Sequence, residues 1–275
     1  MMPNIEASDE EGDTLKLSTE RVNSGPCMNI AFNVEKVLIF GYLYFTAMFV
    51  ACTIVTATLV DFPNGSFEKT VIYKRIGFNH FLTVFTFHPA RQIGAVLSPG
   101  FIVLMSLSIT LSYFRIRNEY HNGYLPPLLY RYTQAITPIS LFAILEFGMI
   151  FINDLAVEDN FNTLYVPFTF FQVVMGLLAI QQVLYFIIAD SIPLKISRNL
   201  AKFYLLVLII VALVYQVWNI SIIANKQMYS KMTPTLLLPS KILVQLHSVL
   251  VFIVPPVLAL QERKKNDGTL KIEVL

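Results

Sequence analysis

Apolar runs of membrane-crossing length recur along this chain, and short polar segments separate them. A helix needs about 20 mostly apolar residues to cross the roughly 30 Å hydrocarbon core of a bilayer. The pattern therefore predicts an all-α fold, a polytopic membrane helical bundle of six transmembrane helices. We place the six spans at residues 37–60, 93–114, 135–152, 164–189, 203–224 and 242–260.

The polar segments at the two ends predict tails outside the membrane. Residues 1–36 are acidic and rich in Ser, Asn and Gly, and such a segment buries too little apolar surface to offset the entropy of ordering. We therefore expect a disordered tail at 1–36, a six-span membrane domain at 37–260 and a basic tail at 261–275. The tails are candidate binding sites for cytosolic partners.

The segment 76–91 does not fit the six-span pattern cleanly, because Asn79, His80 and His88 interrupt its apolar residues. It is a half-span, a re-entrant loop or an amphipathic stretch on the outer side. If this segment crossed the membrane, the chain would have seven spans, as a serpentine receptor has. The segment is, however, short for a transmembrane helix. The prolines Pro255 and Pro256 interrupt the sixth span, which suits a small-solute transporter, yet no internal repeat is visible.

The composition supports a membrane protein and argues against a nucleic-acid partner. The mean hydropathy is +0.62 and only 14% of residues are charged, against about a quarter in soluble domains. A net charge of +2 is too small for nucleic-acid binding. Thirteen of the Lys and Arg residues fall on the side of the two termini and seven on the opposite side, which places both termini in the cytosol. Asn64, in an Asn-Gly-Ser sequon, is then a weak glycosylation candidate on the outer side.

A carboxylate inside a span is costly and usually marks function, so Glu146 in the third span is the first candidate. His88 and Arg91 open the second span, lie three residues apart and share a helix face. At a similar depth, Arg91 is a possible partner for Glu146, with His88 transferring protons or binding a lipid headgroup. The alternative is a buried Glu–Arg pair that only fixes helix register. Whether the protein is an enzyme stays open.

Other polar residues inside the spans predict hydrogen bonds between helices. On the sixth span, Lys241, Gln245 and Ser248 form a stripe, and His247 lies off it. No metal-ligand spacing, phosphate-binding Gly loop or Ser-His-Asp pattern is present, so we expect neither a metal nor a cofactor. The intramembrane polar candidates are Gln172, Gln181, Gln216, Asn219, Gln245 and His247.

Two short motifs, taken with the topology of residues 37–260, resemble a known membrane family. These are the His-Pro-Ala-Arg run that opens the second span, and Glu146 followed by the acidic turn with Glu158 and Asp159 before Phe161. They resemble the family of the FGF-receptor-activating protein, the DRAM autophagy modulators and the Sfk protein, and within it the branch of GPI-anchor lipid-remodelling factors and Cwh-type proteins.

The resemblance implies a protein of the Golgi or endoplasmic reticulum that acts on or recognises lipid at the lumenal leaflet, with GPI-anchored proteins as partners. By the DRAM branch, it implies instead a lysosomal modulator of autophagy. A plasma-membrane location goes with the receptor or transporter alternatives.

Overall fold

The computed structural model describes residues 28–60, 67–76, 84–151, 161–189, 198–224, 234–263 and 269–274. In these parts of the chain, six helices are long and apolar enough to cross a membrane. The predicted all-α bundle of six spans is therefore confirmed, and the chain is an integral membrane protein. The sequon at Asn64 and the acidic turn with Glu158 and Asp159 lie outside the described residues.

Eight α-helices, two 3₁₀ helices (Phe67–Lys69 and Phe147–Phe151) and two short strands make up the described elements. The third span is α4 with the 3₁₀ helix Phe147–Phe151 that continues it, and the sixth span comprises α7 and α8. The elements are β1 (Met28–Asn33), α1 (Val34–Leu59), α2 (Val71–Ile76), α3 (Ala90–His121), α4 (Pro127–Glu146), α5 (Phe161–Ile188), α6 (Arg198–Ala224), α7 (Pro234–Phe252), α8 (Val254–Arg263) and β2 (Thr269–Val274).

The prediction of a disordered tail over 1–36 is wrong for its last nine residues. Strand β1 pairs with β2 in a two-stranded sheet, and α1 begins at Val34. The side chain of Asn33 caps this helix by accepting a hydrogen bond from the Lys36 amide at 2.9 Å. Likewise, the predicted basic tail contains the end of α8 and all of β2. Backbone pairing and capping order these polar segments, which a count of apolar residues does not reveal.

Neighbouring spans run in opposite directions, so α1, α4 and α6 begin at one end of the bundle, called here the proximal end. Helices α3, α5 and α7 begin at the other, distal end. Two glycines let α1 and α3 approach closely: a Cβ at Gly41 would lie 2.8 Å from Met105 Sδ, and one at Gly100 would lie 2.5 Å from the Tyr44 hydroxyl. This packing of large side chains onto glycine is typical of membrane helices.

Aromatic rings fill the centre of the bundle. Phe147 lies 5.9 Å from Phe45, 5.0 Å from Phe101 and 4.7 Å from Phe171 between ring centroids. Phe85 joins them at 6.3 Å from Phe147, within the range in which rings attract one another. Rings from α1, α3, α5 and the end of the third span therefore hold the core together.

The structure describes part of the ambiguous segment 76–91. Residues 77–83 lie outside the described part, but Val84–Phe87 are all buried against the bundle. The Thr56 hydroxyl of α1 donates a hydrogen bond to the Val84 carbonyl at 3.2 Å, and the side chain of Phe85 is fully buried. These four residues pack into the distal end of the bundle, and the three alternatives for segment 76–91 stay predictions.

The sixth span is interrupted where the two prolines predict. Helix α7 ends at Phe252, Ile253 adopts a turn, and α8 begins at Val254. Because Pro255 and Pro256 lack an amide hydrogen, the carbonyl groups one turn earlier lose their helical donors. Nearby, the Gln182 side chain of α5 donates to the Pro255 carbonyl at 3.3 Å.

Candidate functional site in the membrane

His88, Arg91 and Glu146 do not form the predicted cluster. His88 is exposed, and Arg91 is half-buried on the first turn of α3. A Cβ at Gly148, two residues after Glu146, would lie 3.5 Å from Ile102. Ile102 is about 16 Å along α3 from Arg91 at 1.5 Å per residue. Because the third span continues to Phe151, Glu146 lies deeper in the bundle than Arg91.

This difference in depth separates Arg91 from Glu146 along the bundle. The predicted pairing is therefore corrected. A role of either residue, or of His88, in chemistry stays a prediction.

Four of the predicted intramembrane polar residues do converge, from three different helices. Gln172 lies on α5, Gln216 and Asn219 on α6, and His247 on α7. The Tyr165 hydroxyl of α5 donates to Asn219 Oδ1 at 2.7 Å, and Asn219 Nδ2 donates to Gln216 Oε1 at 3.3 Å. Hydrogen bonds thus fix the α6 side of the site and orient the Gln216 amide.

His247 lies at the middle of the sixth span, Leu238–Leu258, with 0% of its surface exposed. Its ring stacks on Tyr215, with centroids 4.2 Å apart and planes inclined by 25°. Gly176 of α5 faces the imidazole, since a Cβ added there would lie 4.0 Å from Nε2. The stack and the glycine hold the imidazole in place with Nε2 toward α5.

Several polar atoms of this group are buried without a hydrogen bond to any described residue. They are both ring nitrogens of His247, Oε1 of Gln172 and Nε2 of Gln216. Leaving a buried donor or acceptor unsatisfied costs about 1–3 kcal/mol, and the cost is larger where hydrocarbon replaces water. Clusters of such atoms need an explanation, and a polar ligand is one.

These atoms border a cavity of about 140 Å³ between α5, α6 and α7, called here the polar cavity. Gln172, Gln216, His247 and Gly176 line it together with apolar side chains. One of these, Leu213 on α6, is 64% exposed on the outer surface of the bundle. The polar cavity therefore opens sideways toward the lipid, and none of its lining residues is Asp, Glu, Lys or Arg.

The other two predicted polar residues lie elsewhere. Gln181 is buried and donates to the Thr133 hydroxyl at 3.1 Å, which agrees with a packing role between α4 and α5. Gln245 is exposed on α7, because two residues along a helix turn the side chain about 200° away from His247. The predicted stripe through Gln245 therefore faces out, and the residue off that stripe, His247, faces in.

A second polar cluster, at the proximal end, was missed from the sequence. Arg115 of α3 forms an ion pair with Glu35 of α1, which is only 2% exposed. The guanidinium carbon lies 4.3 Å from the ring centroid of Tyr185 of α5, whose hydroxyl donates to Glu119 at 2.7 Å. This cluster links three spans next to a cavity of about 40 Å³. The predicted boundaries leave Glu35 in the first tail and Arg115 one residue beyond the second span, so hydropathy does not single out either residue.

The described part of the chain has no group of three His, Cys, Asp or Glu side chains placed to hold a metal ion. Tyr165, Tyr215 and Gly176, which shape the polar cavity, were also missed. Their spacing carries no motif, because each contacts a residue from a different helix.

Comparison of this chain with protein-family models, with curated proteins and with solved structures gave no match. The resemblance to GPI-anchor lipid-remodelling factors therefore stays a prediction. The candidate site of this membrane bundle is the polar cavity between its fourth, fifth and sixth spans.

Proposed function

We propose that this chain is a lipid-handling membrane protein that binds a lipid in the polar cavity. The observation that carries the proposal is the set of unsatisfied polar atoms of Gln172, Gln216 and His247 around a cavity that opens toward lipid. A ligand that enters there comes from the bilayer rather than from water, because the opening lies beside exposed Leu213. Concave, mostly apolar sites with a few convergent polar groups are typical of ligand binding.

The test is native mass spectrometry. The protein is purified in lipid nanodiscs and released from them in the spectrometer, and the masses of the lipids that stay bound to it are measured. His247→Phe and Gln172→Leu should lose a lipid species that the wild-type chain retains. Gln245→Leu is the matched control, since it removes a glutamine from the exposed face of the same helix as His247. Retention of the same lipids by all three variants would contradict binding in the polar cavity.

The family resemblance supports a narrower form of this proposal, in which the protein promotes fatty-acid remodelling of GPI-anchored proteins in the Golgi or endoplasmic reticulum. Arg91→Ala and Glu146→Gln should then alter the acyl chains of surface GPI anchors, measured by lipid mass spectrometry. Unchanged acyl chains of the GPI anchors in both variants would contradict a role in GPI-anchor remodelling. Protease protection of tagged termini tests the cytosolic placement of both ends.

A transporter is the second candidate, favoured by the interruption of the sixth span at Ile253, six residues from His247. Substrate sites of many transporters lie near the bilayer midplane beside broken helices. Uptake of a labelled solute into proteoliposomes would favour transport. Lipid retention without any uptake would favour lipid handling.

A further inference from the structure

The small cavity beside the ion pair of Glu35 and Arg115 lies between α1, α3 and α5, and it is called here the proximal cavity. Its volume is about 40 Å³, and a single water molecule needs roughly 10–15 Å³. The cavity therefore has room for very few atoms. Besides the ion pair, its polar lining residues carry hydroxyl or amide groups: Tyr42, Ser108, Ser112, Gln181, Gln182 and Tyr185.

The packing of α1 on α3 places Glu35 level with two serines of the cavity wall. A Cβ at Gly41 of α1 would touch Met105 of α3, and the two helices run in opposite directions. Glu35, six residues before Gly41, therefore lies opposite the residues about six after Met105, next to Ser112. Ser108 is one turn deeper on the same face of α3. The carboxylate and both hydroxyl groups thus border one small space.

Two oxygen atoms in this wall are buried without a hydrogen bond to any described residue. One is Glu35 Oε2, since Arg115 bonds to Oε1, and the other is Ser108 Oγ. Hydroxyl groups elsewhere in the spans donate to the carbonyl four residues earlier, as those of Thr110 and Ser248 do. The Ser108 hydroxyl makes no such bond, so its own helix does not satisfy it.

The two glutamines of the wall use their amide nitrogens elsewhere. Gln181 donates to the Thr133 hydroxyl at 3.1 Å, and Gln182 donates to the Pro255 carbonyl at 3.3 Å. Neither acceptor lines the proximal cavity. What each amide has left to offer the cavity is its carbonyl oxygen, an acceptor. The polar wall is therefore rich in oxygen atoms and suits a cation.

The charges of the described residues around the cavity leave one negative charge over. Glu119, one turn beyond Arg115 on α3, interacts electrostatically with both Arg115 and Glu35. One guanidinium is thus shared by two carboxylates, while Lys36 and Arg117 are exposed to solvent. A single monovalent cation neutralises this cluster. A divalent cation would leave a positive charge buried without a partner, which is costly.

We propose that the proximal cavity binds a monovalent metal cation such as Na⁺. Its ligands are Glu35 Oε2, the hydroxyl oxygens of Ser108 and Ser112, and the amide oxygens of Gln181 and Gln182. Membrane proteins hold alkali cations with carbonyl and other oxygen atoms. Because the ligands come from three helices, no spacing along the chain indicates this site, and binding ties α1, α3 and α5 together.

The test is binding of radiolabelled sodium to the purified full chain in detergent, measured by scintillation proximity at constant pH and ionic strength. Unlabelled NaCl should displace the label. Choline chloride should not, because choline is too large for a cavity of about 40 Å³, and CaCl₂ should compete more weakly than NaCl. The unfolding midpoint should also rise when NaCl replaces choline chloride, since a ligand that binds only the folded state stabilises it.

Matched variants locate the site. Ser108→Ala and Glu35→Gln should each weaken sodium binding by at least about tenfold, the smallest loss typical of removing even an outer-shell group from a metal site. If Glu35→Gln does not fold, Ser108→Ala carries the test, because it leaves the ion pair intact. Ser140→Ala is the control and should bind sodium as the wild type does. Ser140 is equally buried and without a hydrogen bond to a described residue, but it does not line the proximal cavity.

Three results would overturn the cation site. The first is no sodium binding by the wild type, or full binding by Ser108→Ala, which would mean that the cavity takes only water. The second is stronger competition by calcium or choline than by NaCl. The third is an unfolding midpoint that responds to pH and not to sodium, since the cluster would then take up a proton. None of them bears on lipid binding, because the proximal cavity and the polar cavity share no lining residue.

Discussion

Replacement of His247 by Phe is expected to make the ligand-free protein more stable. The imidazole is fully buried, and neither ring nitrogen hydrogen-bonds to a described residue. An unsatisfied buried polar group costs about 1–3 kcal/mol, and replacing it with an apolar group of similar shape removes that cost. A phenyl ring also keeps the stacking on Tyr215, 4.2 Å away, a type of contact worth about 0.5–1.5 kcal/mol.

One effect acts against this gain, and the structure limits it. Enlarging a buried side chain usually costs about 1–3 kcal/mol through crowding, but here the ring borders a cavity of about 140 Å³. Gly176, opposite the ring, leaves the extra atoms room. We therefore expect a net gain of about 1–3 kcal/mol. At roughly 2–4 °C per kcal/mol for a chain of this size, the unfolding midpoint should rise by about 2–12 °C.

Thermal unfolding of the delipidated protein in detergent measures this shift. Trp218, the single tryptophan of the chain, stacks on Tyr215 at 5.7 Å and reports on the site by fluorescence. Leu246→Phe, on the lipid-facing side of the same helix, is the control and should leave the midpoint unchanged. A lower midpoint for His247→Phe than for the wild type would refute the reasoning, because it would mean that the imidazole nitrogens have stabilising partners.

Two further predictions concern the packing of the bundle. Gly94→Ala should lower the free energy of unfolding by about 1–3 kcal/mol, because the added Cβ would overlap the ring of Phe151. Gly148→Ala is the control in the same detergent melt. Its added Cβ would have its closest contact at 3.5 Å, so it should cost little. Arg115→Met should cost about 3–5 kcal/mol in that assay, since it leaves the Glu35 carboxylate buried without its partner. The double variant Glu35→Leu/Arg115→Met should recover most of this loss, and no recovery would show that the pair does not act as a unit.

Prediction from the sequence worked best for the spans and least well for their ends. The predicted first span began at Val37, and the helix begins three residues earlier at Val34. Those three residues include Glu35, a charged residue that a hydropathy scale places outside the membrane. The structure buries it because Arg115, eighty residues later, neutralises it across the bundle. Hydropathy along the chain contains no information about such a partner.

The candidate site shows the same limit. The sequence identified Gln172, Gln216, Asn219 and His247 as polar residues in spans, but it favoured a cluster of His88, Arg91 and Glu146 instead. That cluster assumed that Glu146, six residues before the end of the third span, lies at a similar depth to Arg91. In the structure Arg91 stands on the first turn of α3, whereas Gly148, two residues after Glu146, packs near Ile102, about 16 Å farther along that helix. The register between the two helices, which the length of a span does not determine, separates the proposed partners.

The sequence by itself determined that this chain crosses a membrane in six helices, because the length and apolarity of each span are local properties set by the thickness of the bilayer. The interruption of the last span is equally local, since proline lacks an amide hydrogen wherever it stands. Only the tertiary structure decided which polar residues meet. The rotation and depth of each helix depend on contacts with other helices, such as Tyr44 packing on Gly100 and the imidazole of His247 stacking on Tyr215. The polar cavity exists because three spans place Gln172, Gln216 and His247 at one depth on facing sides.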